Sequence, residues 1–171
     1  MIFRITIWLL FLIGGAFLGF YLDKLYFEIF THDIVFHAIS FVFGLALLIL
    51  VLRISRNTGR TLAKYGRKGD LPRMETNTFV NQGMYKYMRH PMHLGLMLFP
   101  MSIALLLGSV SFILIIAPTE IIFMLIMIRL IEEPQAIKKF GSDYRTYARY
   151  TPSFCLKKRC IQALLKNVKK S

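Results

Sequence analysis

Two clusters of ionisable side chains hold the chemistry this chain can perform. The first is Arg89-His90-Pro91-Met92-His93, within the stretch from Gly83 to Gly95. The second is Arg129-Leu-Ile-Glu132-Glu133-Pro134. Each borders an apolar run, and ionisable groups are costly beside lipid, so such clusters usually mark a working site. Arg129 and Glu133 are four residues apart, on one face of a helix. An ion pair would explain that spacing, but Arg before Glu is the weaker order. Carboxylates near a helix C-terminus also oppose its dipole. If Pro134 ends the helix, a cationic ligand would offset Glu132 and Glu133. If Pro134 instead opens the next helix, both carboxylates are well placed without one. Pro91 suits the first turn of a helix and holds His90 extended, so Arg89 and His90 project from a fixed approach.

The elements that must position these residues follow from hydropathy. Of the 171 residues, 56% are hydrophobic, yet the formal net charge is +13. Mean hydropathy is +0.53. A soluble domain usually has ~45–50% apolar residues. High apolarity and high charge coexist here because they are segregated. Four runs, at 5–22, 34–52, 92–108 and 109–131, approach the ~20 residues needed to cross a hydrocarbon core. The first is longer than the apolar core of a signal peptide and lacks a clear cleavage site before Asp23, so it reads as a span. The expected fold is all-α: an integral membrane helical bundle of about four transmembrane helices, with a C-terminal amphipathic helix on the cytoplasmic side.

Charge sets the orientation. Arg53, Arg56, Arg60, Lys64, Arg67, Lys68, Arg73, Lys86 and Arg89 lie between the second and third runs. Ten more basic residues lie between Lys138 and Lys170, whereas the turn between runs one and two holds only Lys24. Basic loops stay cytoplasmic. Both termini and the site are therefore expected at the cytoplasmic face. Topology and contact with anionic lipid account for the basic residues, and nucleic acid is not expected as a partner. Cys155 and Cys160 then lie in the cytoplasm, where a structural disulfide is not expected, and no metal-ligand spacing is present.

The chain divides into an N-terminal two-span hairpin at 1–52, a basic linker at 53–82, a catalytic hairpin with interfacial helix at 83–154, and a basic tail at 155–171. Gly15 and Gly19 form a small-residue pair for close helix packing, either within the chain or in a homodimer. The third and fourth runs meet around Gly108-Ser109, so they must pack antiparallel. That return brings His90 and His93 near Arg129 and Glu133. Pro118 should kink the fourth run. Glu120 beside it is either a neutral buried group or a functional one. Phe140, Tyr144 and Tyr147 share a helical face, suggesting an interfacial helix that covers the site as a lid. Surface association with lipid is enough to explain the final basic segment, 157–170.

The order Gly83-x-Tyr85-x3-Arg89-His90-Pro91-x3-Gly95, then Arg129-x2-Glu132-Glu133, then Phe140-Gly141-x2-Tyr144-x2-Tyr147-x4-Pro152 resembles the isoprenylcysteine carboxyl methyltransferase family. That family belongs with the membrane phospholipid methyltransferases. The resemblance covers residues 77–154. It implies an integral membrane methyltransferase using S-adenosylmethionine, with a lipophilic acceptor: an isoprenylcysteine carboxylate, a phospholipid amine or a small thiol. Carried over, Tyr85, His90, Pro91, Met92, His93 and Glu133 would line the cofactor pocket, with Asn77, Thr78, Phe79 and Val80 as a further contacting stretch. Arg129 would face the acceptor, and Arg129 and Glu133 would be the catalytic pair. The chemistry agrees: a carboxylate and aromatic faces suit a sulfonium donor, and an arginine suits an acceptor carboxylate or phosphate. One departure is His93, where the family usually has Tyr. Two other classes compete. A membrane scaffold would keep the fold without turnover. A nicotinamide-dependent sterol-type reductase would share the Arg-His-Pro turn but follow it with Asn-Tyr, where this chain has Met92-His93.

Overall fold

The computed structural model describes residues 2–67, 69 and 76–166, with backbone alone at 2–5, 7 and 8. Lys68, Arg73, Lys169 and Lys170 of the orienting basic set lie outside the described residues, as does the side chain of Arg4. Among the described residues all regular structure is helical. The helices are α1 (Ile2–Tyr26), α2 (Glu28–Thr31), α3 (Ile34–Tyr65), α4 (Pro91–Leu107), α5 (Ala117–Met127), α6 (Glu133–Tyr150) and α7 (Lys158–Leu165). A 3-10 turn spans Gly83–Lys86, and π turns span Phe112–Ile116 and Ile128–Glu132.

Three helical stretches, Leu9–Tyr26, Ile34–Tyr65 and Phe112–Tyr150, are long and apolar enough to cross a membrane. The fourth expected span, α4, has 17 residues. That is the short end of the ~17–25 residues a crossing takes. The exposed faces of α1 and α3 carry Phe17, Tyr21, Val42 and Phe43, an arrangement stable in lipid and costly in water. The protein is an integral membrane helical protein. Helix α3 also runs past its apolar part to Tyr65, so the first half of the basic stretch after residue 52 is helix rather than linker. Thr58 and Thr61 bond back to the carbonyls of Ile54 and Asn57, which holds this polar extension helical.

The chain forms two compact units: residues 1–50 with 97–126, and residues 51–96 with 127–171. The core of the first unit is Ala104, Phe112 and Ala117, covered by Leu12, Ala16 and Met101. Glycines set how closely its helices approach. A Cβ on Gly15 would lie 2.9 Å from Ile116 Cγ2, and one on Gly19 would lie 2.8 Å from Ser109 Oγ. The pair is therefore used for close packing within the chain. Gly108 turns the chain with φ 64°. Ser109 then caps the following helix, its Oγ accepting from the Phe112 N–H at 3.2 Å. The buried carboxylate of Asp23 accepts from the Ser111 N–H at 2.7 Å, satisfying a second orphan donor and favouring the positive end of the helix.

Pro118 acts as a breaker, but the distortion takes a particular form. Its ring removes a hydrogen bond and crowds the preceding turn, and the backbone there widens into the π turn at 112–116. Pro134 produces the same outcome one segment later, with the π turn at 128–132 just before it. The helix does not end at Pro134. Glu133 thus lies inside a continuous helical stretch and is not at an exposed C-terminus.

In the second unit, α6 bends sharply at Gly141, with φ 58° and ψ −130°. This conformation is ordinary only for glycine. Helix α7 buries Cys160 and Leu164, one turn apart, and Asn57 Nδ2 donates to the Leu164 carbonyl at 2.9 Å. The tail therefore docks on α3 rather than only resting on lipid. Cys155 and Cys160 are joined in a disulfide, with Cα atoms 5.9 Å apart. This corrects the expectation of two ordinary cysteines. That expectation followed from an inferred compartment, whereas the first turn of α7 brings Cys160 back against Cys155.

Candidate active site

Residues 89 and 90 are held straight by backbone pairing. The Arg89 N–H donates to the Pro152 carbonyl at 2.9 Å, and the His90 N–H donates to the Ser153 carbonyl at 3.1 Å. Pro91 then opens α4. Locked between Pro91 and the 152–153 segment, both side chains turn to Glu133. His90 Nε2 lies 2.7 Å and Arg89 Nη2 3.1 Å from Glu133 Oε1. An ionised carboxylate only accepts, so His90 Nε2 is the donor in this contact. Arg89 also donates through Nη1 to the Ala148 carbonyl at 3.1 Å and through Nη2 to Ser153 Oγ at 2.5 Å. Its planar fork thus ties the approach turn to α6 and to the segment after it.

An aromatic wall stands beside this cluster. The Phe79 ring is 5.2 Å from Tyr147, 5.6 Å from Phe140 and 6.2 Å from Tyr144. Tyr144 and Tyr147 are 6.0 Å apart. The Tyr147 hydroxyl donates to the Tyr85 carbonyl and, at 3.3 Å, to that of Met88. Lys139 donates to the Thr76 carbonyl. The two contacts fasten α6 to the 76–88 loop on both sides of the Gly141 bend. Burial pushes the Tyr85 hydroxyl above the usual tyrosine range, with Tyr147 adding to the effect, so it is a neutral donor at pH 7. Arg89 Nε is buried and lacks a hydrogen-bond partner among the described residues, whereas the buried Tyr144 hydroxyl faces the Glu133 carboxylate.

The structure brings together most of the residues singled out by sequence. His90 and Glu133 are in contact. His93 presents its ring 5.4 Å from that of His90. Pro91 and Val80 are buried, and Met92 is half-buried. Asn77 and Thr78 donate through their backbone to the Gly66 carbonyl, so their stretch folds back on the end of α3. Arg129 does not join them. It is exposed, with no ion pair or hydrogen bond among the described residues. Glu133 pairs with Arg89, and the π turn between positions 129 and 133 changes the shared helical face that their spacing of four predicts. Sequence reasoning placed Arg89 on the fixed approach beside His90 but not among the site residues, and read Phe140, Tyr144 and Tyr147 as one face of a covering helix. The clue for Arg89 was its place beside His90-Pro91, where backbone freedom is least.

A family model for phospholipid methyltransferase matches residues 39–143, more than half of the chain. The chain belongs to the phospholipid methyltransferase family. The wider superfamily also contains the isoprenylcysteine methyltransferases. No curated protein and no solved structure matches the chain. The matched span includes Phe79, Tyr85, Arg89, His90 and Glu133, and it ends before Tyr144 and Tyr147. Family membership implies a membrane methyltransferase rather than a reductase.

The residues present fit a sulfonium donor. One carboxylate, the buried Tyr144 hydroxyl facing it and a ring-lined wall converge in the second unit. Oε1 of Glu133 is held by His90 and Arg89, so the carboxylate is fixed beside the aromatic faces that a cationic ligand would meet. Cations bind aromatic faces through the ring quadrupole.

Proposed function

We propose that the protein is an S-adenosylmethionine-dependent methyltransferase that acts on a membrane-lipid amine at the cytoplasmic face. The observation that carries this reading is the His90–Glu133 contact, 2.7 Å long and set beside the Phe79–Tyr144–Tyr147 wall. The bound cofactor supplies an electrophilic methyl group on a sulfonium, and the sulfur leaves as a neutral thioether. Tyr144, Phe79 and Glu133 favour that positive charge. Tyr85, Met92, His93 and residues 77–80 complete the pocket around the adenosyl part.

His90 gives the choice of acceptor. An ammonium headgroup must lose a proton before its nitrogen can attack, whereas a carboxylate or thiolate acceptor needs no base once ionised. His90 Nδ1 takes that proton. Glu133 then pairs with the imidazolium, as an orienting carboxylate does for a histidine base. Arg89 holds Glu133 in place. Arg129, exposed and without a partner, meets the lipid phosphate on the approach side. Transfer itself is an in-line displacement, so most of the gain comes from alignment and exclusion of water.

The test uses purified protein in nanodiscs with a labelled methyl donor. Lipid discs containing phosphatidylethanolamine should acquire label, and discs of phosphatidylglycerol alone should not. His90→Ala should lower kcat by ~10²–10⁴-fold, the usual contribution of a positioned base. Label appearing on a supplied isoprenylcysteine acid instead of the amine lipid would replace the acceptor in this account.

A further inference from the structure

A second concavity lies in the same unit, lined by residues other than Glu133 and the aromatic wall. Here a cleft of about 400 Å³ opens between the 86–87 turn and the segment that leads into α7. Three cations line it: Lys86, Lys157 and Arg159. All three are exposed, and none makes an ion pair or side-chain hydrogen bond among the described residues. No Asp or Glu lines the cleft. Three uncompensated positive charges around one concavity create a field that favours an anion. The Cys155–Cys160 disulfide forms part of the wall and fixes the loop that carries Lys157 and Arg159. Leu156 and Tyr150 stand at the rim, 71% and 85% exposed. Such residues anchor protein at the membrane interface.

We propose that this cleft binds the phosphate of a membrane phospholipid, held by Lys86, Lys157 and Arg159 while Leu156 and Tyr150 sit among the lipid chains. The site is separate from methyl transfer and stands whether or not the chain transfers methyl groups. Its role is to hold the α7 segment against the bilayer and to keep a lipid at the protein surface.

The test is titration of the full-length protein, in nonionic detergent, with dioctanoyl phosphatidylglycerol, followed by calorimetry. This lipid carries the phosphate but no amine, so it cannot be a methyl acceptor. The wild type should bind one equivalent saturably. The triple variant Lys86→Gln/Lys157→Gln/Arg159→Gln should lose about tenfold or more in affinity, the scale of at least one charge-assisted hydrogen bond. A control triple with the same loss of charge, Arg53→Gln/Arg56→Gln/Lys64→Gln, should change affinity by less than about twofold. Inorganic phosphate should bind far more weakly than the lipid. Equal losses in both triples would reduce the effect to general attraction and overturn the site. Inorganic phosphate binding as well as the lipid would overturn the lipid assignment, and absence of saturable binding would overturn the proposal outright. All six substituted side chains are exposed, and unchanged thermal unfolding of each triple confirms that the variants fold.

Discussion

At the scale of residues, Arg89 is the hinge of the site's geometry. It contacts Glu133, Ala148 and Ser153 through one planar group. Lysine has the charge but not the fork, so Arg89→Lys should lower unfolding free energy by ~1–3 kcal/mol, the cost of leaving buried partners unmade. Denaturant titration in detergent reads this directly. The meeting of His90 with Glu133 was legible in the sequence, because a short turn forces two spans to return to one face. The partner of Glu133 was not. A spacing of four predicts Arg129 only if the helix stays α-helical, and the π turn at 128–132 removes that premise. Tyr85 adds a pH dependence. Its folded-state pKa is raised, first by burial and then by Tyr147. The unfolded chain therefore loses its proton first as pH rises. The contribution of Tyr85 is complete below pH ~10, the ordinary tyrosine value, and declines above it. Thermal unfolding at pH 9 and pH 11 should show the loss in the wild type. Tyr85→Phe should show less of it.

At the scale of elements, the first unit depends on close helix approach and a cap supplied from another helix. Gly19→Val should be destabilising, because its Cβ would already lie 2.8 Å from Ser109 Oγ. Overpacking of this kind costs ~1–3 kcal/mol. Light scattering of the solubilised variant should show an unchanged oligomeric state, since the glycine face is used within the chain. A fall in oligomer size would instead mean that the pair joins two copies. Asp23→Ala should cost a further ~1–3 kcal/mol by removing the Ser111 cap. The glycine pair was readable from its spacing, but Asp23 was not. It lies 88 residues from Ser111, and nothing local distinguishes it from an ordinary loop carboxylate. The bend at Gly141 was likewise hidden. Phe140, Tyr144 and Tyr147 read as one continuous face, yet they reach Phe79 from both sides of a break.

At the scale of the whole molecule, composition alone gave the class, because 56% apolar residues with a charge of +13 leave few alternatives to a basic membrane protein. The number of spans was less legible. Hydropathy marks four apolar runs, while helix length supports three full crossings and a 17-residue fourth. The proposed site at the cytoplasmic face would go with an even number of crossings and both termini on that side. Reporter fusions at each terminus should therefore be active only as cytoplasmic reporters. Opposite signals at the two ends would leave α4 outside the set of spans. The disulfide was missed for a different reason: compartment was inferred from charge, and local geometry then closed a loop of five residues regardless.

The central claim is that Glu133 and its aromatic neighbours hold a cationic methyl donor. The most direct measurement is calorimetric binding of S-adenosylmethionine to the purified protein in lipid nanodiscs, with Glu133→Gln measured alongside. Saturable binding by the wild type is expected, weakened by about tenfold or more in the variant, as loss of a carboxylate facing a cation predicts. Wild-type protein that is folded and lipid-bound but does not bind the cofactor, or a variant that binds it equally well, would contradict the account.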